Sequence, residues 1–490
     1  MASKSKIRVR IAPSPTGPLH VGTARSALYN YLFARQNGGA FVLRIEDTDL
    51  ERSDEKYTRE VIEGLHWLGI EWDEGPTLAN KEKGKYGPYK QSERTDIYRK
   101  YIKKLIDEDK VYPCYCTPEK LKQERVAAAK RGEAPKYSGK CRNLSGADRK
   151  KLESEGKGSI LRFKTPAQVI TFTDEIRGEV SFATDLIGDF SIARDEQTPL
   201  YNLAVVIDDY TMKISHVIRG EDHLSNTPKQ ILLQVALGFP KPYYAHLPLI
   251  LNEDRSKLSK RMNKVSIIDY RQDGYLPEAM LNFFVLLGWN PKTEKEIFTK
   301  EELIKQFSLK NIHRGGAVFT RKRLDWMNGY YIRKLNPDDL YKSTLSFLEK
   351  AKIPVADKEY TKQAIALEQE RIKNLKELPD AVSFFFLKEL EYDPKLLLWK
   401  KTTGEEIHKN LETVEQFFQK LSEKKFTAEK IEKGLKNIIA TRKLDTGSIL
   451  WPLRVALTGR EASPGPFEVA AVLGKEKVLV RLKKAILLIS

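Results

Sequence analysis

His20-Val21-Gly22-Thr23 stands where a proline-rich loop, Pro13 to Pro18, runs into a helical pattern. A histidine at a helix start sits where free N–H groups and the helix dipole favour an anion, and it can donate to a phosphate oxygen. Gly22 has no side chain, so a ligand can come close to the backbone there. Far along the chain, "DRSKLSKR" (Asp254 to Arg261) places Lys257 and Lys260 around Ser259 in a polar stretch after "LPLIL". Two ammonium groups so spaced can clamp the β and γ phosphates of a nucleotide. Each signal alone has a plain explanation: a capping histidine, a basic surface loop. Together they suit a triphosphate. No GxxxxGK[ST] occurs, so the usual phosphate-binding loop is absent.

A second constellation is sulfur. Cys114, Cys116 and Cys141 are the three cysteines of the chain. "CYC", followed by a helix and a return at "PKYSGKCRN", brings three thiolates towards one point, which favours a structural tetrahedral Zn²⁺ closed by a fourth protein ligand. The alternative is three buried free thiols.

These groups need elements to hold them. "IRVRIA" and "AFVLRIE" read as strands, with "HVGTARSALYNYLFARQN" and "EKYTREVIEGLHWLG" as helices between and after them. Val21, Ala24, Leu28 and Leu32 mark the buried stripe of the first helix, and Gly38-Gly39 suits its end. Alternating strands and helices predict a parallel sheet, which binds ligands at the carboxyl ends of its strands. The Pro13–His20 loop occupies that place. From 112 to 195 the pattern changes to the cysteine cluster, a helix opened by Thr117-Pro118 and short β runs such as "SILRFKT" and "VSFATD". The α/β pattern returns with "LYNLAVVIDDYTMKISHVIRGEDH" and a helix started by Thr227 and Pro228. Beyond about 265 helical periodicity dominates, in "LPEAMLNFFVLLGW", "NPDDLYKSTLSFLEKA" and "TVEQFFQKLSEKKF". The expected organisation is a first catalytic half at 1–111, an insertion at 112–195 and the second half at 196–255. A loop and stem-contact region at 256–328 and a helical region at 329–490 complete it.

At 490 residues, 41% hydrophobic and 31% charged, the chain is globular and multidomain. A formal net charge of +18 favours a polyanionic partner, nucleic acid before membrane, although a uniformly basic proteome gives the same excess. No apolar run approaches the ~20 residues of a membrane span, and "MASKSKIR" lacks a signal-peptide core. Three cysteines make no disulfide framework, so the expected compartment is the reducing cytoplasm.

The chain resembles bacterial glutamyl-tRNA synthetases over essentially its whole length. The residues that carry the resemblance are "RIAPSPTGPLHVGTARSALYNYLFA", "FVLRIEDTD", "GPYKQSERTDIY", "TPLYNLAVVIDDYTMKISHVIRGEDHLSNTPKQ", "KLSKR" and "PLRVALTGREASPGPF". HVGT departs from the generic HIGH pattern at Thr23, as is usual in the glutamyl branch. The resemblance implies a Rossmann-like class I synthetase domain with an inserted α+β connective domain and a largely all-helical anticodon-binding region. Glutaminyl enzymes share the catalytic core but end in β-barrels.

The implied substrates are ATP with Mg²⁺, L-glutamate and tRNA(Glu). A form that also charges tRNA(Gln) and a catalytically inactive RNA-binding relative are open alternatives, and a monomer is expected. ATP would be met by His20, Gly22, Thr23, Lys257 and Lys260, with Ser259 shaping the loop. Glutamate carries two carboxylates and an ammonium, so its site should offer two planar cationic forks and an acid. By resemblance, Arg10 and Tyr201 meet the γ-carboxylate, Arg219 the α-carboxylate, and Glu46 with Ser14 and the Ala12 backbone the ammonium. Val205 stands where some relatives have Asn. Relatives with the Cys-x-Cys spacing bind zinc, some through a tyrosine four residues before the last cysteine. Asn143 is a poor ligand, so the implied set is Cys114, Cys116, Tyr137 and Cys141.

Overall fold

The computed structural model describes residues 6–49, 51–79, 81–133, 136–258 and 264–489. It divides into two compact units, one of residues 1–271 with 277–321 and one of 272–276 with 322–490.

In the first unit, strand β1 (Arg8–Ile11), helix α1 (Val21–Gln36) and strand β2 (Ala40–Leu43) form a crossover whose strands pair in parallel, Arg8 opposite Ala40. β1 buries Val9, Arg10 and Ile11, the continuous burial of a strand inside a parallel sheet. Helix α1 is covered far beyond the stripe seen in the sequence, because it lies between the sheet and the helix Pro277–Leu286. Its polar residues are therefore buried and bonded to backbone. Asn30 Nδ2 donates to Ile218 O at 3.0 Å, Tyr29 Oη to Val285 O at 2.9 Å, and Arg25 Nη1 to Leu287 O at 3.0 Å. At the end of α1, Gly38 takes φ +59°, and a Cβ on Gly39 would stand 2.5 Å from Ile7 O. The first glycine turns the chain and the second lets it lie against β1.

The stretch 111–193 supplies β3 (Val111–Cys114), β4 (Ile160–Phe163), β5 (Val169–Asp174), β6 (Gly178–Ala183) and β7 (Phe190–Ala193). β3, β4 and β7 make an antiparallel sheet with β4 central, and β5 and β6 form a hairpin. Helix α2 (Tyr201–Thr211), β8 (His216–Gly220), α3 (Thr227–Leu237) and β9 (Tyr243–Leu247) follow. β8 and β9 pair in parallel, and β8 lies beside β1, where Ser215 N donates to Arg8 O at 2.9 Å. β5 joins this sheet at one point, Asp174 opposite Tyr244. One hydrophobic core runs from Val42 through Ile102 and Val111 to Phe163, Ile192, Val206 and Leu233. The stretch 111–193 thus shares one core with the parallel strands around it.

α3 begins at Thr227 with Pro228 in its first turn, as expected; Asn226 precedes it without a side-chain cap bond, and the Thr227 hydroxyl turns to Arg219 and His246. One element expectation changes. The helix read from 413 to 426 runs from Gly404 to Lys420, opened by a Thr403–Glu406 capping box that apolar periodicity alone did not reveal. The second unit contains helices and no strand among the described residues, as expected.

Candidate active site

β1, β2 and β8 end side by side, and the loop from Ala12 to His20 passes over their tips into α1. His20 is the N-cap of α1, extended at φ −81° and ψ 146°, and its Nδ1 accepts the Gly22 N–H at 2.9 Å. A ring nitrogen that accepts carries no proton, so the imidazole proton is assigned to Nε2. Gly22 permits the fold-back, since a Cβ there would lie 3.3 Å from Nδ1.

Beneath this loop is a cavity of about 440 Å³. Arg10, Ala12, Ser14, His20, Gly22, Thr23, Glu46, Tyr201, Arg219 and Lys257 all line it, brought together from across the first unit. Ser259 and Lys260 lie outside the described residues. Val205 is not on the wall; it packs in the hydrophobic core.

Behind Arg10 and Glu46 lies more charge than the sequence reading supplied. Arg10 forms a two-point pair with Asp209, Nε–Oδ1 3.1 Å and Nη2–Oδ2 3.3 Å. Arg44 bridges Asp209 (2.8 Å) and Glu46 (3.0 Å), and Arg94 Nε holds Asp208 Oδ1 at 2.6 Å. Three arginines thus meet three carboxylates, the arrangement a buried ionic cluster needs to avoid a stranded charge. Burial pushes Asp209 up, but Arg10 and Arg44 override it and hold the carboxyl below its ordinary range. At Glu46 burial wins over Arg44 and Arg10, and the carboxyl is raised.

Tyr201 Oη lies 2.8 Å from His223 Nδ1. Burial lifts the phenol to about 12, and burial with the Arg219 charge lowers His223 to about 4, so both are neutral near pH 7. Arg219 is 6% exposed; Nε and Nη2 are engaged, and the buried Nη1 has no partner. Arg44, Asp208, Asp209 and His223 were missed as site residues. The signal was present: "VVIDDYTM" puts two acids side by side in an apolar helix, where only a cationic partner would tolerate them.

The thiols also converge. Cys114 ends β3, Cys116 precedes the helix Pro118–Lys130, and Tyr137 and Cys141 return beside them. Tyr137 Oη is 3.4 Å from Cys114 Sγ and 3.6 Å from Cys116 Sγ, and Cys116 and Cys141 sulfurs are 3.7 Å apart. All three sulfurs lie within 4.8 Å of one another and form no disulfide. A tetrahedral ion with Zn–S of about 2.3 Å sets its sulfurs roughly 3.8 Å apart. The cluster fits a metal ion.

The architecture and the site are those of a class I aminoacyl-tRNA synthetase. Residues 6–326 match the family described as tRNA synthetases class I (E and Q), catalytic domain, and residues 339–486 match an anticodon binding domain. A glutamate–tRNA ligase of Aquifex aeolicus is 47% identical over 98% of this chain and 99% of its own length. One from Symbiobacterium thermophilum is 45% identical over 97% and 99%. The crystal structure of a glutamate–tRNA ligase from Elizabethkingia meningosepticum, in complex with its amino acid, superposes with a TM-score of 0.88 at 35% identity, over 99% of this chain and 100% of that one. The chain belongs to the glutamate–tRNA ligases, class I enzymes that use ATP.

Proposed function

We propose that the cavity joins L-glutamate to ATP and passes the product to the 3′-terminal adenosine of tRNA(Glu), and that the residues lining it divide the work as follows. The observation that carries this reading is Arg219 Nη1, a buried cationic donor without a protein partner on the wall of a cavity that also presents Arg10 and Glu46. An unmet buried donor is costly, and a substrate carboxylate would satisfy it. Arg219 then takes the α-carboxylate. Arg10, whose Nη1 remains beyond the Asp209 pair, takes the γ-carboxylate with Tyr201. Glu46, Ser14 and the Ala12 carbonyl take the ammonium.

The α-carboxylate attacks the α-phosphorus of ATP, forming glutamyl-adenylate and releasing pyrophosphate. A carboxylate is already a nucleophile and needs no general base, so the work is positioning and neutralisation of charge. His20 donates from Nε2 to the α-phosphate, and Gly22 and Thr23 leave room for the nucleotide. Lys257 and Lys260 receive the pyrophosphate, with Ser259 shaping their loop and Mg²⁺ accompanying the triphosphate. The 2′-hydroxyl of the terminal adenosine then attacks the mixed anhydride and AMP leaves.

Cys114, Cys116, Cys141 and Tyr137 would hold one Zn²⁺, which supplies a structural cross-link and takes no part in activation. The stretch 112–195 would meet the acceptor end of the tRNA, 256–328 its stem and the helical region its anticodon. We read the enzyme as a monomer of the cytoplasm, with tRNA(Gln) as a second substrate to be tested. Exchange of labelled pyrophosphate into ATP, with glutamate, should be near background alone and rise when tRNA(Glu) is added. Strong exchange without RNA would refute the tRNA-dependent form of this reading, and no charging of tRNA(Glu) with glutamate would refute the reading itself.

A further inference from the structure

Arg219 enters the cavity held at two of its three nitrogens. Nη2 donates to Thr227 Oγ1 at 2.8 Å and Nε to His246 Nε2 at 3.2 Å. An imidazole nitrogen that accepts from a guanidinium is unprotonated, so the proton of His246 is on Nδ1. Nδ1 lies 2.6 Å from Asp174 Oδ2, and the His246 backbone N–H donates to the same oxygen at 3.1 Å. Asp174 Oδ1 is fixed in turn by the amides of Ile176 (3.0 Å) and Arg177 (2.8 Å) in the turn between β5 and β6. His246 and Asp174 are 0% and 1% exposed. The Tyr244 ring lies nearly parallel to the imidazole at 6.1 Å, on the strand that carries it.

The sequence of hydrogen bonds has one direction: Arg219 donates to His246, and His246 donates to Asp174. Burial lowers the His246 imidazole, and the Arg219 charge adds to this against the pull of Asp174. Burial opposes ionisation of Asp174, but His246 and the two amides hold its carboxyl below the ordinary range. A neutral, singly oriented imidazole is what an arginine needs as a fixed acceptor. Nε and Nη2 are tethered, which restrains the guanidinium plane, and Nη1 of this cavity-lining residue is left without a protein partner.

We propose that His246, oriented by Asp174, is a positioning residue for amino-acid binding: it sets the plane of Arg219 for the substrate carboxylate. Asp174 belongs to the insertion, whose hairpin meets the catalytic sheet at this one register point. The arginine that grips the amino acid is thereby tied to the seating of the insertion. This inference rests on the assignment of Arg219 to the α-carboxylate.

Two amides separate the parts. His246→Asn keeps a donor where Nδ1 stands and so keeps Asp174, but it loses the acceptor for Arg219. His246→Gln keeps an acceptor near Nε2 and loses Asp174. Aminoacylation kinetics of the full chain, at saturating tRNA(Glu), should show the KM for glutamate raised about tenfold in His246→Asn and several-fold less in His246→Gln. The KM for ATP of His246→Asn should stay near wild type. Equal increases in both variants, or an ATP effect as large as the glutamate effect, would overturn the proposal. Asp174→Asn, which keeps an acceptor but loses the charge, should raise the glutamate KM by a smaller factor; no rise would remove Asp174 from the proposal. Arg219→Ala is the control. If it leaves the glutamate KM unchanged, the assignment of Arg219 fails; if it raises that KM while His246→Asn does not, His246 alone is excluded.

Discussion

Arg10 and Asp209 face each other across two hydrogen bonds, 3.1 and 3.3 Å, with both side chains nearly out of solvent and Arg10 on the wall of the cavity. Asp209 also binds Arg44, so one carboxylate organises two guanidinium groups that would otherwise repel. The arginine assigned to the substrate side chain is therefore a built part of the fold, and its substrate-facing end is only one nitrogen wide.

Removing either partner should have separable effects. Arg10→Ala should lower kcat/KM for glutamate by about 2–5 kcal/mol, the cost of breaking a buried hydrogen-bonded charge contact. Arg10→Lys should recover little, because an ammonium cannot hold Asp209 at two points and reach a ligand as well. Asp209→Ala leaves Arg10 uncompensated, while Arg44 keeps Glu46, and should cost stability, about 3–5 kcal/mol. Charging assays at low glutamate and thermal unfolding check these. Normal charging by Arg10→Ala would end the γ-carboxylate assignment.

His20 has two jobs at two atoms, and substitution can divide them. Asn is as good an N-cap as any residue, so His20→Asn should keep α1 in place while losing the Nε2 donor. Pyrophosphate exchange should fall about 10²–10³-fold, the range for one lost transition-state donor, with little change in Tm. His20→Ala should lose the cap as well and unfold earlier. Exchange by His20→Asn at the wild-type rate would remove His20 from the chemistry.

The strands and helices around the cavity were legible because their periodicity is local. "IRVRIA" and "AFVLRIE" became β1 and β2, and ten of the twelve residues expected at the ATP and glutamate sites line one cavity, the other two lying outside the described residues. What stayed hidden is what depends on partners distant in sequence. Nothing near Arg10 announces Asp209, which comes from α2, and nothing near Arg219 announces His246 or Asp174. Thr227 starts its helix as Thr-Pro predicts, but the use of its hydroxyl by a buried guanidinium was not visible in the sequence. The Thr403 cap was missed for a simpler reason, since the residues after it are polar and show no apolar stripe until Ile407.

His223 should leave a mark on the acid limb of stability. Burial, then the Arg219 charge, lowers its imidazole from 6.5 to about 4 in the folded chain. A depressed folded value means that the unfolded chain takes up the proton first as pH falls. The contribution of neutral His223 is thus fully present above 6.5 and is lost progressively between 6.5 and about 4. His223→Gln, which cannot titrate, should flatten the pH dependence of unfolding free energy over that window relative to wild type. Parallel curves for the two proteins, from denaturant titrations at half-unit pH steps, would show that His223 is not held neutral.

The thiol cluster makes the last prediction. Tyr137 Oη stands within 3.6 Å of two sulfurs and accepts the Cys141 N–H at 2.9 Å, and the Arg162 guanidinium lies 4.0 Å from the centre of its ring. A phenol so placed can close a tetrahedron that three thiolates leave open; burial and the thiols raise it in the metal-free chain, and the charge of a bound ion would ionise it. Protein purified without chelator should carry about one zinc per chain. Tyr137→Phe removes the oxygen but keeps the ring under Arg162, so zinc should leave it faster to a chelator while the fold around it persists. In wild type, chelation should lower the Tm, because a cross-link between β3 and the Tyr137–Cys141 return is lost. Pyrophosphate exchange should fall less than the Tm shift alone would suggest, since the ion lies outside the cavity. Zinc retained equally by Tyr137→Phe would exclude the phenol as a ligand, and wild-type protein free of zinc would leave the three cysteines as buried thiols.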